Sequence, residues 1–405
     1  MPHTRLFGLS RPVAIVTLAV VALALLAFLV IAFAESQLPQ PEAPKDSDMA
    51  MYARLIDHMR QGEDYYAATR TELSNGHYGM QSVFNWRTPF LPWSLSLLPS
   101  NAWAQVMFVL ITLATAAAAC RLVFREMGWI AAGALSIILI LALGTCMVPQ
   151  AVVFSEFIAG VLMLLSASCY GLKLPYLGLA AAVVGLFVRE LVGPYVLLCV
   201  YFAWREKRPG ELKAWAVALA GYAVYFLWHY YRVKLHQAPG DLADPAGWVQ
   251  FGGALFVLDT ATFNGIFLIA PIWMTAILIP AACLGLLAWP GEAGKRMALT
   301  VFGYVTLFAI IGKSYNDYWG AIYAPMMTMG LVWFPAAMRD LWRDLRVRRQ
   351  VPRLPKLSES QGLRGDADRP RGCARWRPSG LHIAPIAGPT EMPQGRPGRG
   401  AAQSE

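Results

Sequence analysis

The chain is poor in charged residues and lacks the cysteine and histidine spacings of a metal or disulfide framework. Charged residues make up 15% of its 405 residues, whereas a soluble globular protein has about 25%. Its six cysteines form no CxxC pair, and its histidines form no HxxxH pair. We therefore predict no metal and no other cofactor. The sequence also lacks an evident internal repeat, which disfavours a repeat-built transporter.

Long apolar runs take the place of the missing charges. Apolar residues account for 57% of the chain, and runs near twenty residues recur, long enough to cross a hydrocarbon core of about 30 Å. This pattern predicts an all-α, polytopic integral membrane protein with about ten transmembrane helices within residues 1–342. The predicted spans are 13–34, 102–120, 129–148, 151–171, 174–189, 191–204, 213–231, 265–288, 297–313 and 319–338.

Basic residues predict the topology of these spans. Arg5 and Arg11 precede the first span, and further Lys and Arg residues follow every even-numbered span. Because basic loops stay on the cytoplasmic side, both chain ends are predicted to be cytoplasmic, in an inner or plasma membrane. Residues 35–100 then form a large first extracytoplasmic loop.

The C-terminal tail explains most of the net charge of +9. Residues 343–405 hold 13 Lys and Arg against 6 Asp and Glu, and they are rich in Pro, Gly and Arg. Such a composition predicts a disordered cytoplasmic tail that contacts anionic membrane lipids. No nucleic-acid partner is predicted.

The first outer loop contains the first candidate catalytic groups. Asp48 begins a segment that ends near Gly62 and whose apolar residues recur at helical spacing, so we predict a short amphipathic helix. Asp48 shares the apolar face with Tyr52, four residues later. A partly desolvated carboxylate there is suited to act as a base. Asp46 is a second candidate, and helix capping remains the alternative role for both.

Three fragments of this loop resemble a known family of membrane enzymes. They are DMAMY from Asp48, GEDYY from Gly62 and RTPFLPW from Arg87, and together they are similar to the first outer loop of GT-C superfamily glycosyltransferases. The resemblance implies a polyprenyl-phosphate sugar donor, Asp48 as the base that deprotonates the acceptor hydroxyl, and Arg87 at the start of the second membrane helix. Many members have Asp-Glu where this chain has Asp48-Met49, which weakens the inference of a bound metal.

Transfer from a lipid phosphate also requires cations near the leaving group and polar groups near the sugar. The cationic candidates on the predicted outer side are Arg189, Arg232 and Lys313. A structural ion pair with Glu156 is the alternative for Arg189, and snorkelling to the interface is the alternative for the other two. Asn316 and Asp317 are candidates for the sugar pocket, and Tyr52 and Arg87 of the first outer loop are further candidates for substrate binding.

These observations lead to one principal hypothesis and two alternatives. The principal one is a multi-pass membrane glycosyltransferase that moves a sugar from a polyprenyl-phosphate donor to a glycan, lipid or protein acceptor on the outer face. The first alternative is a transporter or flippase for a lipid-linked or anionic solute. The second is a non-catalytic assembly subunit with the same fold.

Overall fold

The computed structural model describes residues 2–38, 48–243 and 250–346, and its regular structure within these ranges is entirely helical. The all-α prediction is therefore confirmed for this part of the chain. The longer helices are α1 (Arg11–Ser36), α2 (Asp48–Arg60), α3 (Tyr65–Asn75), α4 (Phe90–Ser96), α5 (Asn101–Met127), α6 (Trp129–Ala142), α7 (Ser155–Gly171), α8 (Pro175–Val188), α9 (Gly193–Arg205), α10 (Pro209–His236), α11 (Gly253–Thr262), α12 (Ile272–Ala288), α13 (Gly291–Ile310) and α14 (Ala324–Arg346).

The predicted count of about ten membrane spans is wrong for these helices. Within the described ranges, only α1 and α5 are long and apolar enough to cross a membrane. The turn Tyr315–Ile322 and α14 meet at a 59° bend. If they count as one span, they are a third candidate for crossing a membrane. Helices such as α6 and α8 have 14 residues each, and at 1.5 Å per residue they rise only about 21 Å. Apolar runs in the sequence therefore overestimated the length of unbroken helix.

Helix α7 is buried along nearly its whole length, with α5 and α8 packed along it. Its close packing depends on small residues. A side chain at Gly160 would place Cβ 2.0 Å from the carbonyl oxygen of Ala321. In the same way, a Cβ at Gly285 of α12 would lie 1.8 Å from the carbonyl oxygen of Gly330 in α14. Small residues at such positions let helix backbones approach closely, as is common in membrane helix pairs.

Residues 48–100, within the predicted first outer loop, form their own small helical cluster, which we call the outer-loop cluster. The predicted amphipathic helix is confirmed as α2, and its residues Leu55 and Ile56 are each 1% exposed. Asp64 caps the start of helix α3, and its carboxylate accepts hydrogen bonds from two backbone amides of the first turn. Arg70 of α3 binds Asp241 with an Nη2–Oδ1 distance of 2.7 Å, which joins this cluster to the segment after α10.

The two ends of α7 carry different sets of polar residues. Glu156 lies in the first turn, and Tyr170 lies fourteen residues later in the last turn. At 1.5 Å per residue, these positions are about 21 Å apart along the helix axis. Phe157, next to Glu156, lines one cavity and Tyr170 lines another, and both cavities are described below.

The C-terminal prediction is only partly covered by the described residues. The structure extends α14 to Arg346, so residues 343–346 belong to a helix rather than to the predicted tail. The prediction of disorder for the remainder, 347–405, lies outside the described residues.

Candidate active site

A polar cavity of about 450 Å³ lies beside the helical cluster of residues 48–100, and Arg87 in its wall contacts Glu156 of α7. Its lining comes from chain segments far apart in sequence, including the start of α2, the loop before α4, the turn between α8 and α9 and the turn before α14. Five of the predicted site residues line it: Asp48, Tyr52, Arg87, Arg189 and Asn316. The structure thus brings together most of the candidates from the sequence.

Asp48 is the first residue of α2 and is held by a tyrosine. The phenol of Tyr78 donates a hydrogen bond to Oδ1 of Asp48 at 2.5 Å, and both residues line the cavity. This contact fixes one oxygen of the carboxylate at the cavity wall. Asp46, the other candidate base, lies outside the described residues.

A buried ion-pair network includes two residues of the cavity wall, Arg87 and Arg189. The Glu156 carboxylate, which is 0% exposed, contacts Arg87 at 3.0 Å (Nη1–Oε2) and Arg189 at 2.8 Å (Nε–Oε1). Ser155 donates its hydroxyl to the same carboxylate at 3.0 Å. Arg189 also pairs with Glu190. The ion pair that was the alternative role for Arg189 is therefore present, yet Arg189 also lines the cavity.

Arg87 joins this network to α2. Its guanidinium lies 4.4 Å from the ring centroid of Tyr52, within the range of a cation–π contact. Burial alone would lower the pKa of Arg87, but the Glu156 carboxylate raises it well above the ordinary value, so the side chain stays charged. For Tyr52, burial itself raises the pKa of the phenol well above its ordinary value, so the phenol stays protonated.

The backbone at Arg87 is also unusual. Its φ angle is 44°, in the left-handed region that residues with a side chain rarely adopt. Such a conformation costs about 1–3 kcal/mol and persists only where surrounding contacts hold it. The ion pair with Glu156 and the Tyr65 phenol, which donates to the Arg87 carbonyl at 3.1 Å, are contacts of this kind.

Asn316 lines the cavity, and the oxygen and nitrogen of its side-chain amide differ in their contacts. Its Oδ1 accepts a hydrogen bond from the Tyr318 phenol at 3.1 Å, but its buried Nδ2 has no hydrogen-bond partner among the described residues. An unsatisfied buried donor costs about 1–3 kcal/mol. Because Asn316 lines the cavity, a ligand oxygen placed there would satisfy this donor.

Three other candidates do not line the polar cavity. Arg232 pairs with Asp64 at 3.0 Å and lies over the ring of Tyr66, on the outer-loop cluster. Lys313 is 2% exposed and lies 5.4 Å from the ring centroid of Tyr315. Asp317 accepts a hydrogen bond from the backbone amide that follows it. Lys313 and Asp317 are close to Asn316 in sequence, but they do not line the polar cavity with it.

An apolar cavity of about 490 Å³ adjoins the polar one. The two share Asp48, Tyr78, Tyr315 and Tyr318 in their walls. The remainder of the apolar cavity is mostly aromatic and aliphatic, with Phe154, Phe157, Phe263, Val148, Ala151, Leu268, Met49 and Thr145. A carboxylate thus lies where a polar compartment meets an apolar one.

Sequence reasoning missed two residues of this site. Tyr78, which binds Asp48, is thirty positions away from it, and no short-range pattern connects them. Glu156 was considered only as a partner for Arg189, whereas it also binds Arg87, 69 positions away. The available signal was the acidic residue itself, because a carboxylate inside an apolar run requires a cationic partner.

No protein-family model, curated protein or solved structure matches the chain. The described residues also contain no group of three or more His, Cys, Asp or Glu side chains placed to hold a metal ion.

Proposed function

We propose that the protein is a membrane glycosyltransferase that uses a polyprenyl-phosphate sugar as donor. The observation that supports this most is the junction of the two cavities at Asp48. A donor of this class has a long apolar chain, a phosphate and a sugar. The apolar cavity fits the phosphate-proximal end of the polyprenyl chain. The polar cavity fits the phosphate and the sugar.

The residues of the polar cavity then take the following roles. Asp48 accepts the proton of the acceptor hydroxyl, whose oxygen attacks the anomeric carbon as the bond to the lipid phosphate breaks. Arg87 and Arg189 stabilise the negative charge of the departing phosphate, and Glu156 holds both guanidinium groups in place. Asn316 donates its Nδ2 hydrogens to the sugar or phosphate. A single displacement of this kind inverts the anomeric configuration.

The proposal is tested with the purified protein in liposomes. Radiolabelled polyprenyl-phosphate sugars are supplied as a panel, with a membrane-lipid extract as acceptor, and both the label on new products and the sidedness of the donor are measured. Glycosylated product formed only with protein present would support a transferase. Donor that changes sides without losing its sugar would contradict it and favour the flippase alternative. Intact donor that stays in place throughout the panel would also count against the proposal.

Substitution of Tyr78 tests how Asp48 is positioned. Tyr78→Phe removes the phenol that donates to Oδ1 of Asp48 and leaves the ring. Since a hydrogen bond to a charged group contributes about 1.5–3 kcal/mol, we expect kcat to fall by about 10- to 100-fold. KM should change less, because the carboxylate is oriented for proton transfer rather than for donor binding. Tyr230→Phe, on an exposed tyrosine of α10, is the matched control and should retain wild-type rates.

Filling the apolar cavity tests where the polyprenyl chain lies. Val148 lines this cavity and is 50% exposed, so Val148→Trp adds volume without disturbing a buried core. If the new indole keeps two methylene groups of the polyprenyl chain out of the cavity, their lost burial costs about 1.6 kcal/mol. This lowers the affinity for the donor more than tenfold. We expect KM to rise about tenfold for a long-chain donor and little for a short-chain one. Ile137→Trp, on the exposed face of α6, is the control; equal effects on both donors would contradict this placement.

A further inference from the structure

A second polar cavity, of about 500 Å³, lies at the other end of α7. It is formed by the last turns of α5 and α7, the chain after α7 and after α9, and the first turns of α8 and α13. Its charged lining residues are Glu126, Lys173, Glu206, Arg208, Glu292 and Arg296, and Tyr170 of α7 also lines it. Because Tyr170 is about 21 Å along α7 from Glu156, this cavity is separate from the candidate active site. We call it the distal cavity.

Arg296 is the most unusual residue of the distal cavity. It is 3% exposed, and its guanidinium lies 3.9 Å from the ring centroid of Tyr170 and 4.5 Å from that of Phe202. Its Nη1 donates to the sulfur of Cys199 at 3.2 Å. Within the described ranges, no carboxylate lies within 4 Å of it. Its nearest neighbours are aromatic rings and a thiol, and the Glu206 carboxylate acts on it only from a longer distance. A buried cation without a closely paired opposite charge is costly.

The carboxylates of the distal cavity are already engaged. Glu206 contacts Arg208, which also pairs with Glu211 outside the cavity lining. Glu292 pairs with Lys295 at 2.6 Å.

Glu126 is the third carboxylate that lines the distal cavity, and Lys173 is its remaining cation. Glu126 accepts a hydrogen bond from the indole of Trp289 at 2.5 Å. Lys173 is exposed and, like Arg296, has no carboxylate within 4 Å in the part of the chain that the structure describes. Two cations of the distal cavity thus remain available to an anion.

We propose that the distal cavity binds a phosphate group through Arg296 and Lys173. Two helix starts support this assignment, because Pro175 of α8 and Gly291 of α13 line the cavity and helix N-termini favour phosphate. Arginine offers five N–H donors in a planar fork suited to phosphate oxygens, and Arg296 has donors beyond its contact with Cys199. Free phosphate and a phospholipid headgroup share this chemistry. The proposal does not depend on the activity proposed for the other cavity.

The test is calorimetric titration of the purified full chain in a neutral detergent, with two probes. One probe is inorganic phosphate, and the other is dihexanoyl phosphatidic acid, which has a phosphate monoester on a short-chain lipid. Arg296→Met removes the buried cation and keeps an apolar side chain between the rings, and Lys173→Gln removes the exposed one. Arg121→Met, an exposed arginine outside the cavity, is the matched control.

We expect saturable binding that each of the two cavity variants weakens about tenfold and that Arg121→Met changes less than about twofold. Equal binding of both probes identifies the phosphate alone as the ligand, and binding of the lipid alone identifies a headgroup with contributing acyl chains. No saturable binding of either probe would overturn the proposal. An equal loss with Arg121→Met would overturn it as well, since it would indicate diffuse attraction to a basic surface. If Arg296→Met fails to fold, Lys173→Gln decides the outcome.

Discussion

Glu156→Gln is expected to destabilise the protein by about 3–5 kcal/mol, the effect of breaking a buried ion pair while its partners stay buried. Glu156 is fully buried and is the carboxylate shared by Arg87 and Arg189. The glutamine amide cannot neutralise either guanidinium. The change would therefore leave two poorly compensated cations at the wall of the candidate active site, with only Glu190 remaining close to Arg189.

The measurement is equilibrium unfolding in detergent micelles, followed by circular dichroism. Glu63→Gln is the matched control, because Glu63 makes a half-exposed contact with His58 and its loss should cost less than about 1 kcal/mol. A combined Glu156→Gln, Arg189→Met variant should lose less stability than the two single effects predict, because the contact is shared. Glu156→Gln within 1 kcal/mol of the wild type would show that the network contributes little.

The helices themselves were largely predictable from the sequence, but their lengths were not. Apolar spacing placed α2 between Asp48 and Gly62, and the structure has a helix over Asp48–Arg60. The apolar run 129–148, by contrast, contains the 14-residue helix α6 and a short 3-10 turn instead of one long span. Hydropathy detects an apolar environment, and it does not detect where backbone hydrogen bonding breaks inside that environment.

The candidate site was predictable in composition and not in geometry. Asp48 and Arg87 were found because both lie in an unusually long polar loop between apolar runs. Lys313 and Arg232 were selected because each is a cation beside an apolar run, yet the structure places neither in the wall of the polar cavity. What separates the two groups is tertiary packing over long sequence distances, such as the contact of Arg87 with Glu156.

Asp48→Asn is expected to lower the rate of sugar transfer at least about 100-fold, because general-base catalysis contributes roughly 10²- to 10⁴-fold. Asparagine has nearly the same shape and still accepts the hydrogen bond from Tyr78 through its amide oxygen, but it takes no proton. Abundance, insertion and unfolding should therefore match the wild type. Donor KM should change little, since Asp48 acts on the acceptor hydroxyl.

Asp57 offers a matched control on the same helix. It lies nine residues after Asp48 in α2, its side chain is 59% exposed, and it pairs with Arg60 at 2.9 Å. Asp57→Asn removes the same charge from the same element without touching either cavity. It should leave the transfer rate within about twofold of the wild type.

The most direct test of the account is the initial rate of sugar transfer by the wild type, Asp48→Asn and Asp57→Asn, measured side by side on a donor that the wild type uses. The account predicts a loss of at least about 100-fold in Asp48→Asn alone. Transfer by Asp48→Asn at a rate close to that of the wild type would contradict the assignment of Asp48 as the base and, with it, the proposed mechanism at the junction of the two cavities.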